Sequence, residues 1–268
     1  LYVASKIYNE VEKIWRNEPE QGDILKLAFI ASLANATKMI PHADSSGPSW
    51  KLPRYWIPNI REERNFCQTF LRRLKKIMFF KESFTKNLDG YNIFVSYDDN
   101  NVSCDDSKGK VISIFRCDAR VAYLTLPKAD FIVLDPPHYD ELNYYELSYL
   151  WQEWLQGKMN DRRFKDFYYW KNEISINNRT GKDLKYYNDA LSEIVPSYVN
   201  LLKKQGKLIL ILHNKNKHLM KETVKTIKEK LDHHLTIKTI QKQPKIPSSA
   251  QGIHKSKKFL YILRVYKH

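Results

Sequence analysis

The sequence predicts an α/β fold, and three observations carry that prediction. Strand-like and helix-like patterns alternate from Val111 to Gln241, the order expected of a doubly wound, Rossmann-like sheet with helices on both faces. Phe131-Ile132-Val133-Leu134 is a short, fully apolar run of the kind found in strands buried on both faces. Hydrophobic residues make up 43% of the 268 residues, well above disordered composition and enough to bury a sizeable core.

Taken in order, Leu1–Trp15 and Asp23–Lys38 read as helices, with Asp23 as the N-cap of the second. A loop rich in Pro, Ser and Trp runs from Pro41 to Asn59. A basic amphipathic helix follows from Arg61 to Phe80, its apolar face carrying Phe66, Phe70, Leu74 and Ile77. Two short strands, Asn92–Tyr97 and Val111–Arg116, flank the polar segment Asp98–Lys110. After Phe131–Leu134 come helical patterns through Trp154, then a helix over Lys182–Lys204 with Gly206 in the position of a C-terminal glycine. Lys207–His213 reads as a second buried strand, Leu219–Leu231 as a helix and Leu235–Gln241 as a strand. The loop Gln243–Ser256 leads into a last strand, Phe259–Tyr266. This reading divides the chain into a helical region, residues 1–90, as a target-contacting part, and an α/β catalytic region, residues 91–268.

No apolar run approaches the ~18–20 residues of a membrane span. Cys67, Cys104 and Cys117 are too far apart for a disulfide framework or a zinc knuckle, which points to structural thiols in a reducing cytosol. Because the chain opens on Leu1 rather than Met, an upstream segment is expected to have been removed. The formal net charge is +15. Nearly all of it falls between Leu201 and His268, where sixteen lysines and Arg264 face only Glu222, Glu229 and Asp232. Such a balance suits a polyanion, with a solvated Lys-rich surface as the alternative. The loop Gln243–Lys258, with Lys245 and Lys255, is the first candidate for nucleic-acid contact. Arg54, Arg61, Arg64, Arg72 and Arg73, interleaved with Tyr55, Trp56 and Phe66, form a second, unless Phe66 and Phe70 face a core and leave a solvated stripe.

The chemistry-bearing pattern is Asp135-Pro136-Pro137-His138, at the end of the apolar run. In open α/β sheets, ligands sit beyond the carboxyl ends of the strands. Two prolines fix φ and remove two backbone donors, so a carboxylate stands beside a carbonyl free to accept. Such a two-acceptor clamp suits a group with two hydrogens on one atom, such as an exocyclic amine, and His138 offers a ring for stacking. The competing reading is a rigid turn with Asp135 capping the next helix. His213-Asn214 ends the second buried strand at the same rim, as pocket lining or as a strand-end cap. Glu141 and Glu146 are expected on the helix after the site. His233-His234 has no metal-ligand spacing around it.

FIVLDPPH resembles the catalytic motif of the amino-methyltransferases that act on exocyclic nitrogens of DNA bases, written Asp/Asn/Ser-Pro-Pro-aromatic. The extension Tyr139-Asp140-Glu141-Leu142 … Tyr145-Glu146-Leu147-Ser148-Tyr149-Leu150-Trp151 is similar to a subgroup of adenine-specific DNA methylases in which an ELS-LW helix follows DPP. Arg116-Cys117-Asp118-Ala119-Arg120, Asn172-Glu173-Ile174 and Lys207–Asn214 also match that subgroup. Upstream, so do Gly47-Pro48-Ser49-Trp50, Trp56-Ile57-Pro58, Glu63 and Asn65. The resemblance covers most of the chain in family order.

It implies a Rossmann-like methyltransferase, S-adenosylmethionine as cofactor, and methyl transfer to adenine N6 in DNA. Asp135 and the Pro136 carbonyl would hold the amino hydrogens, with Pro137 stiffening the turn, and His138 or Tyr139 would stack on the flipped base. Asp118, with Ala119, corresponds to the acidic residue near the cofactor's adenosine. His213, Asn214, Lys245 and Lys255 would contact the substrate, no metal is needed, and the protein would work in the cytoplasm at the nucleoid. The aromatic position departs from the family, holding His138. The Phe-x-Gly-x-Gly cofactor loop is a second departure, since glycines 22, 47, 90, 109, 157, 181, 206 and 252 never form it. A second polypeptide or an upstream segment is therefore expected to supply that loop and its central strand. Cytosine N4, RNA or a protein amide as target stay open, as does a non-catalytic DNA- or partner-binding subunit of a split enzyme.

Overall fold

The structure is a computed structural model that describes residues 2–33, 65–96, 109–141, 143–157, 173–214, 216–231, 236–242 and 259–266. Lys245, Lys255, the Pro41–Asn59 loop, Cys104 and His233-His234 lie outside them. The chain divides into two compact units, residues 1–90 with 149–165, and residues 91–148 with 166–268.

The first unit is helical. Helix α1 (Tyr2–Asn17) buries Ala4, Tyr8 and Val11, one stripe at helical spacing. Helix α2 (Pro19–Leu33) begins on Pro19, whose fixed φ and missing N–H suit a first helical position. Asp23 therefore lies inside the helix instead of capping it. At Gly22 the two helices approach so closely that a Cβ would stand 2.3 Å from the Trp15 Cα. Helix α3 (Phe66–Asn87) starts later than its periodicity suggested because Asn65 caps it, its side chain accepting from the Gln68 N–H at 3.1 Å. Tyr8, Phe29, Phe66 and Trp154 form the core, with ring centroids 5.2–5.5 Å apart in tilted or edge-on contacts.

The second unit has the α/β class the sequence predicts. Strands β1 (Tyr91–Ser96) and β2 (Lys110–Phe115) pair in parallel as a two-stranded sheet. A short helix α4 (Ala119–Ala122) leads to β3 (Ala129–Leu134) and then α5 (Tyr144–Gly157), whose residues from Tyr149 onward belong to the first unit. Helix α6 (Leu184–Asn200), β4 (Leu202–Asn214), α7 (Lys217–Lys230), β5 (Thr236–Lys242) and β6 (Phe259–Tyr266) follow. These strands form a second sheet ordered β3-β4-β6-β5, with β3 and β4 parallel and β6 antiparallel to both neighbours.

Alternation along β4 turns Leu208, Leu210 and Leu212 to one face, where Tyr187, Leu191 and Val195 of α6 and Met220, Val224 and Ile227 of α7 close the core over them. The other face of β3 differs from the expectation of burial on both sides: Phe131 is 54% and Val133 51% exposed. Two more sequence expectations change. Glu141 lies in the turn ahead of α5, not on the helix. The left-handed residue after α6 is Gln205 (φ 64°) and not Gly206, and both lie within β4. The register slips between the pairs Ala129–Leu202 and Phe131–Lys207, and a Cβ at Gly206 would stand 2.8 Å from the Lys203 carbonyl oxygen.

Candidate functional site

Strand β3 delivers Asp135 to the carboxyl rim of the sheet with its side chain 64% exposed. The two prolines stiffen the exit. The Pro137 carbonyl accepts twice, from the Tyr139 N–H at 3.1 Å and from the Tyr187 hydroxyl at 2.7 Å, which uses both of its lone pairs. No donor among the described residues reaches the Pro136 carbonyl. The Asp135 carboxylate and the Pro136 carbonyl are thus two acceptors open to a ligand at this strand end.

The next two residues point opposite ways, and a left-handed backbone is the reason. Tyr139 has φ 55°, a conformation costing about 1–3 kcal/mol for a non-glycine residue. Its carbonyl accepts from the Ile176 N–H at 3.0 Å, and the Glu141 N–H donates to the His138 carbonyl at 3.0 Å. The Tyr139 side chain is fully buried, with its ring 4.6 Å from that of Tyr187. Its hydroxyl donates to Thr223 Oγ1 at 3.0 Å, and Thr223 donates in turn to Asn188 Oδ1 at 2.6 Å. Tyr139 therefore belongs to the core, and its ring is not at the rim to stack on a base.

His138 stays at the rim, its side chain 25% exposed. Its Nε2 is 3.7 Å from Asp135 Oδ1. Its ring meets that of His213 edge to face, centroids 5.2 Å apart, and His213 Nδ1 is 3.4 Å from Glu141 Oε1. The fold brings Asp135, His138 and Glu141 of the turn after β3 together with His213 of β4. Asn214 is turned inward on the same strand; its side-chain oxygen accepts from the Asn216 N–H at 2.7 Å, a strand-end cap.

Glu173 anchors the helix that follows the site. It accepts from the backbone N–H groups of Tyr144 at 2.6 Å and Tyr145 at 3.3 Å, capping the first turn of α5, and Ser175 Oγ donates to it at 2.8 Å. The Lys182 ammonium donates to the Glu173 carbonyl, and burial is the main cause of a Lys182 pKa below the ordinary lysine range. Asn177 Nδ2 donates to Glu146 Oε1 at 3.2 Å, tying α5 to the same segment. Burial, then the charges of Asp135, Glu173 and Glu141, push the Tyr144 phenol upward. The carboxylates make this rim a favourable place for positive charge.

Asp118 caps α4, accepting from the Arg120 N–H at 2.9 Å, and Ala119 is the first residue of that helix. Both Asp118 oxygens also meet the Arg120 guanidinium, at 2.6–3.2 Å. Burial pushes the Asp118 carboxyl up, and the bonds and charge of Arg120 outweigh it, so the group lies below the usual carboxylate range. Tyr187, Thr223 and the capping role of Glu173 escape sequence reasoning. Tyr187 lies fifty positions from the carbonyl it holds, and no local pattern marks it.

No protein-family model and no curated protein matches the chain. Among solved structures, one described as a DNA modification methylase from Thermus thermophilus aligns at 16% identity and a TM-score of 0.30, over 56% of this chain and 50% of that one. TrmN from Thermus thermophilus aligns at 10% identity and a TM-score of 0.30, over 75% of this chain and 34% of that one. A precorrin-6y C5,15-methyltransferase from Geobacter metallireducens aligns at 12% identity and a TM-score of 0.21, over 55% and 86%. The chain thus spans half the length of the first and about a third of the second. Likenesses this partial assign no activity to the chain; its own residues must carry any assignment. Among the described residues, no helix is long and apolar enough to cross a membrane, and no three His, Cys, Asp or Glu side chains gather as metal ligands.

Proposed function

We propose that this chain is the catalytic and target-binding part of an S-adenosylmethionine-dependent methyltransferase acting on the exocyclic amine of a nucleic-acid base, with adenine N6 in DNA as the favoured target. The observation that carries the reading is the acceptor pair at the end of β3. Tyr187 and the Tyr139 N–H consume the Pro137 carbonyl, while the Asp135 carboxylate and the Pro136 carbonyl stay open. Two acceptors holding two amine hydrogens direct the nitrogen lone pair along one line, which is alignment catalysis. Asp135 also lowers the energy of the positive charge that develops on that nitrogen, helped by the field of Glu141 and Glu173. His138, edge-on to His213, offers the ring against which a flipped base rests.

The described residues do not by themselves fit the cofactor. Asp118, the one acid in the expected position, is held by Arg120. The left-handed glycines, Gly90, Gly109 and Gly181, lie in open turns with nothing within 4 Å of a built Cβ. The part of that group, when bound, would be to supply the methyl. The place of β3 at the edge of its sheet favours a further strand beside it, and the exposed Phe131 and Val133 favour a layer over its open face, from a partner polypeptide or from upstream. The same observation supports a second reading, a subunit that binds DNA or a partner methylase without catalysing.

The test is transfer of labelled methyl from S-adenosylmethionine to unmethylated DNA, digested to nucleosides, with Asp135→Ala beside the wild type. Label in N6-methyladenine that disappears in the variant supports the reading. Label in N4-methylcytosine moves the target, and equal label in both proteins removes Asp135 from the site. No label with wild-type protein favours the binding-subunit reading.

A further inference from the structure

Helix α3 outruns its own core. Phe66 and Thr69 are its buried residues, and none of the positions from Leu71 to Asn87 is buried. That exposed stretch carries Met78, Phe79, Phe80 and Phe84, with Phe79 76% and Phe80 64% accessible. It also carries Arg72, Arg73, Lys75, Lys76, Lys81 and Lys86 against the single acid Glu82. Glu82 is matched to Lys86, whose ammonium lies 3.1 Å from it, so an excess of five cations lines about four and a half turns of helix.

The arrangement of those side chains narrows the occupant. At 100° per residue, Arg72, Lys75, Phe79 and Lys86 fall in one row along the helix, and Arg73, Lys76, Phe80 and Phe84 in a second. In the first row cations flank the ring of Phe79, and in the second cations lead into the rings of Phe80 and Phe84. The Phe80 and Phe84 rings are stacked, 5.4 Å between centroids and 22° between planes. A helix that lies on a lipid surface separates its apolar and cationic residues onto opposite faces; here they share both rows. A protein-binding groove helix likewise presents an apolar stripe cleared of charge. Cations interleaved with accessible rings match a ligand that itself alternates phosphate and aromatic base.

We infer that the distal half of α3 is a single-strand nucleic-acid contact, in which Arg72, Arg73, Lys75 and Lys76 meet phosphates and Phe79, Phe80 and Phe84 stack on unpaired bases. This surface is independent of the Asp135 clamp and does not require that the chain transfer a methyl group.

The experiment measures anisotropy of a labelled fifteen-nucleotide oligothymidine with the full chain, and competition by inorganic polyphosphate. Three proteins are compared: wild type, Phe79→Ala/Phe80→Ala/Phe84→Ala, and Lys75→Glu/Lys76→Glu. All five positions are exposed, and a circular-dichroism melt of each variant checks that its fold is intact. The triple variant is expected to bind the oligonucleotide about tenfold more weakly while its polyphosphate affinity stays within twofold, because polyphosphate has no base to stack. The charge variant is expected to weaken both and to flatten the salt dependence. Equal oligonucleotide affinity in wild type and triple variant overturns the inference. So does a triple variant that keeps the oligonucleotide but loses binding to vesicles of one part phosphatidylserine to three parts phosphatidylcholine, which would make the helix a lipid contact. The binding assay contains no S-adenosylmethionine and reads no methyl transfer, which separates failure of this surface from failure of the methyl-transfer reading.

Discussion

Thr223 is the junction through which the Asp135 turn is tied to the core, and replacing it by valine tests that tie without changing the shape of the side chain. Its hydroxyl receives the Tyr139 hydroxyl at 3.0 Å. Its own hydrogen goes to Asn188 Oδ1 at 2.6 Å, in preference to the Leu219 carbonyl at 3.0 Å. All three side chains are buried. Thr223→Val therefore breaks the buried hydrogen bonds from the Tyr139 hydroxyl and to the Asn188 amide oxygen, at about 1–3 kcal/mol each, so a loss of about 3 kcal/mol is expected. Tyr139→Phe alone removes a donor and keeps the Thr223–Asn188 bond, and should cost about 1 kcal/mol. The double variant orphans only Asn188 and should lose about 2 kcal/mol, less than the roughly 4 kcal/mol that additivity demands. Urea unfolding followed by tryptophan fluorescence, with m-values compared to exclude a changed transition, gives all four free energies. Additive losses, or a Thr223→Val protein within about 0.5 kcal/mol of wild type, would refute the claim that Thr223 ties the Asp135 turn to the core.

Two further outcomes are expected from the same geometry. Burial, with the nearby Tyr139, raises the Tyr187 phenol far above the ordinary tyrosine range. A raised value in the folded state means that its stabilising effect is complete below pH ~10 and is lost as pH rises beyond that; the unfolding midpoint should therefore fall more steeply above pH ~10 in wild type than in Tyr187→Phe, and parallel curves would show that the buried hydroxyl is not responsible. Glu173→Ala removes the carboxylate that holds the Tyr144 and Tyr145 N–H groups and should cost about 1 kcal/mol, the usual worth of a helix cap; a thermal melt unchanged within error would assign the cap to solvent.

Much of the rim was legible because its signals are local. The apolar run Phe131–Leu134 announces a strand, the Asp-Pro-Pro after it announces a stiff, acceptor-rich exit, and both depend only on neighbouring residues. Asn65, Asp183 and Asn216 cap α3, α6 and α7 by the same short-range chemistry. Local reading slipped where two local signals competed. Pro19 starts α2 four residues before Asp23, because a proline at the first helical position loses no hydrogen bond.

What the sequence by itself determined is the α/β alternation, the carboxylate at a strand end, and the stiff turn beyond it, since φ restriction and apolar periodicity act over a few residues. Only the tertiary structure decided which carbonyl remains open, which of His138 and Tyr139 faces outward, and that β3 is covered on one face. The Tyr187 hydroxyl reaches Pro137 across fifty positions and the Tyr139 hydroxyl reaches Thr223 across eighty-four. The exposure of Phe131 and Val133 is likewise decided by what packs, or does not pack, against them, and an apolar run states the need for a neighbour without naming it.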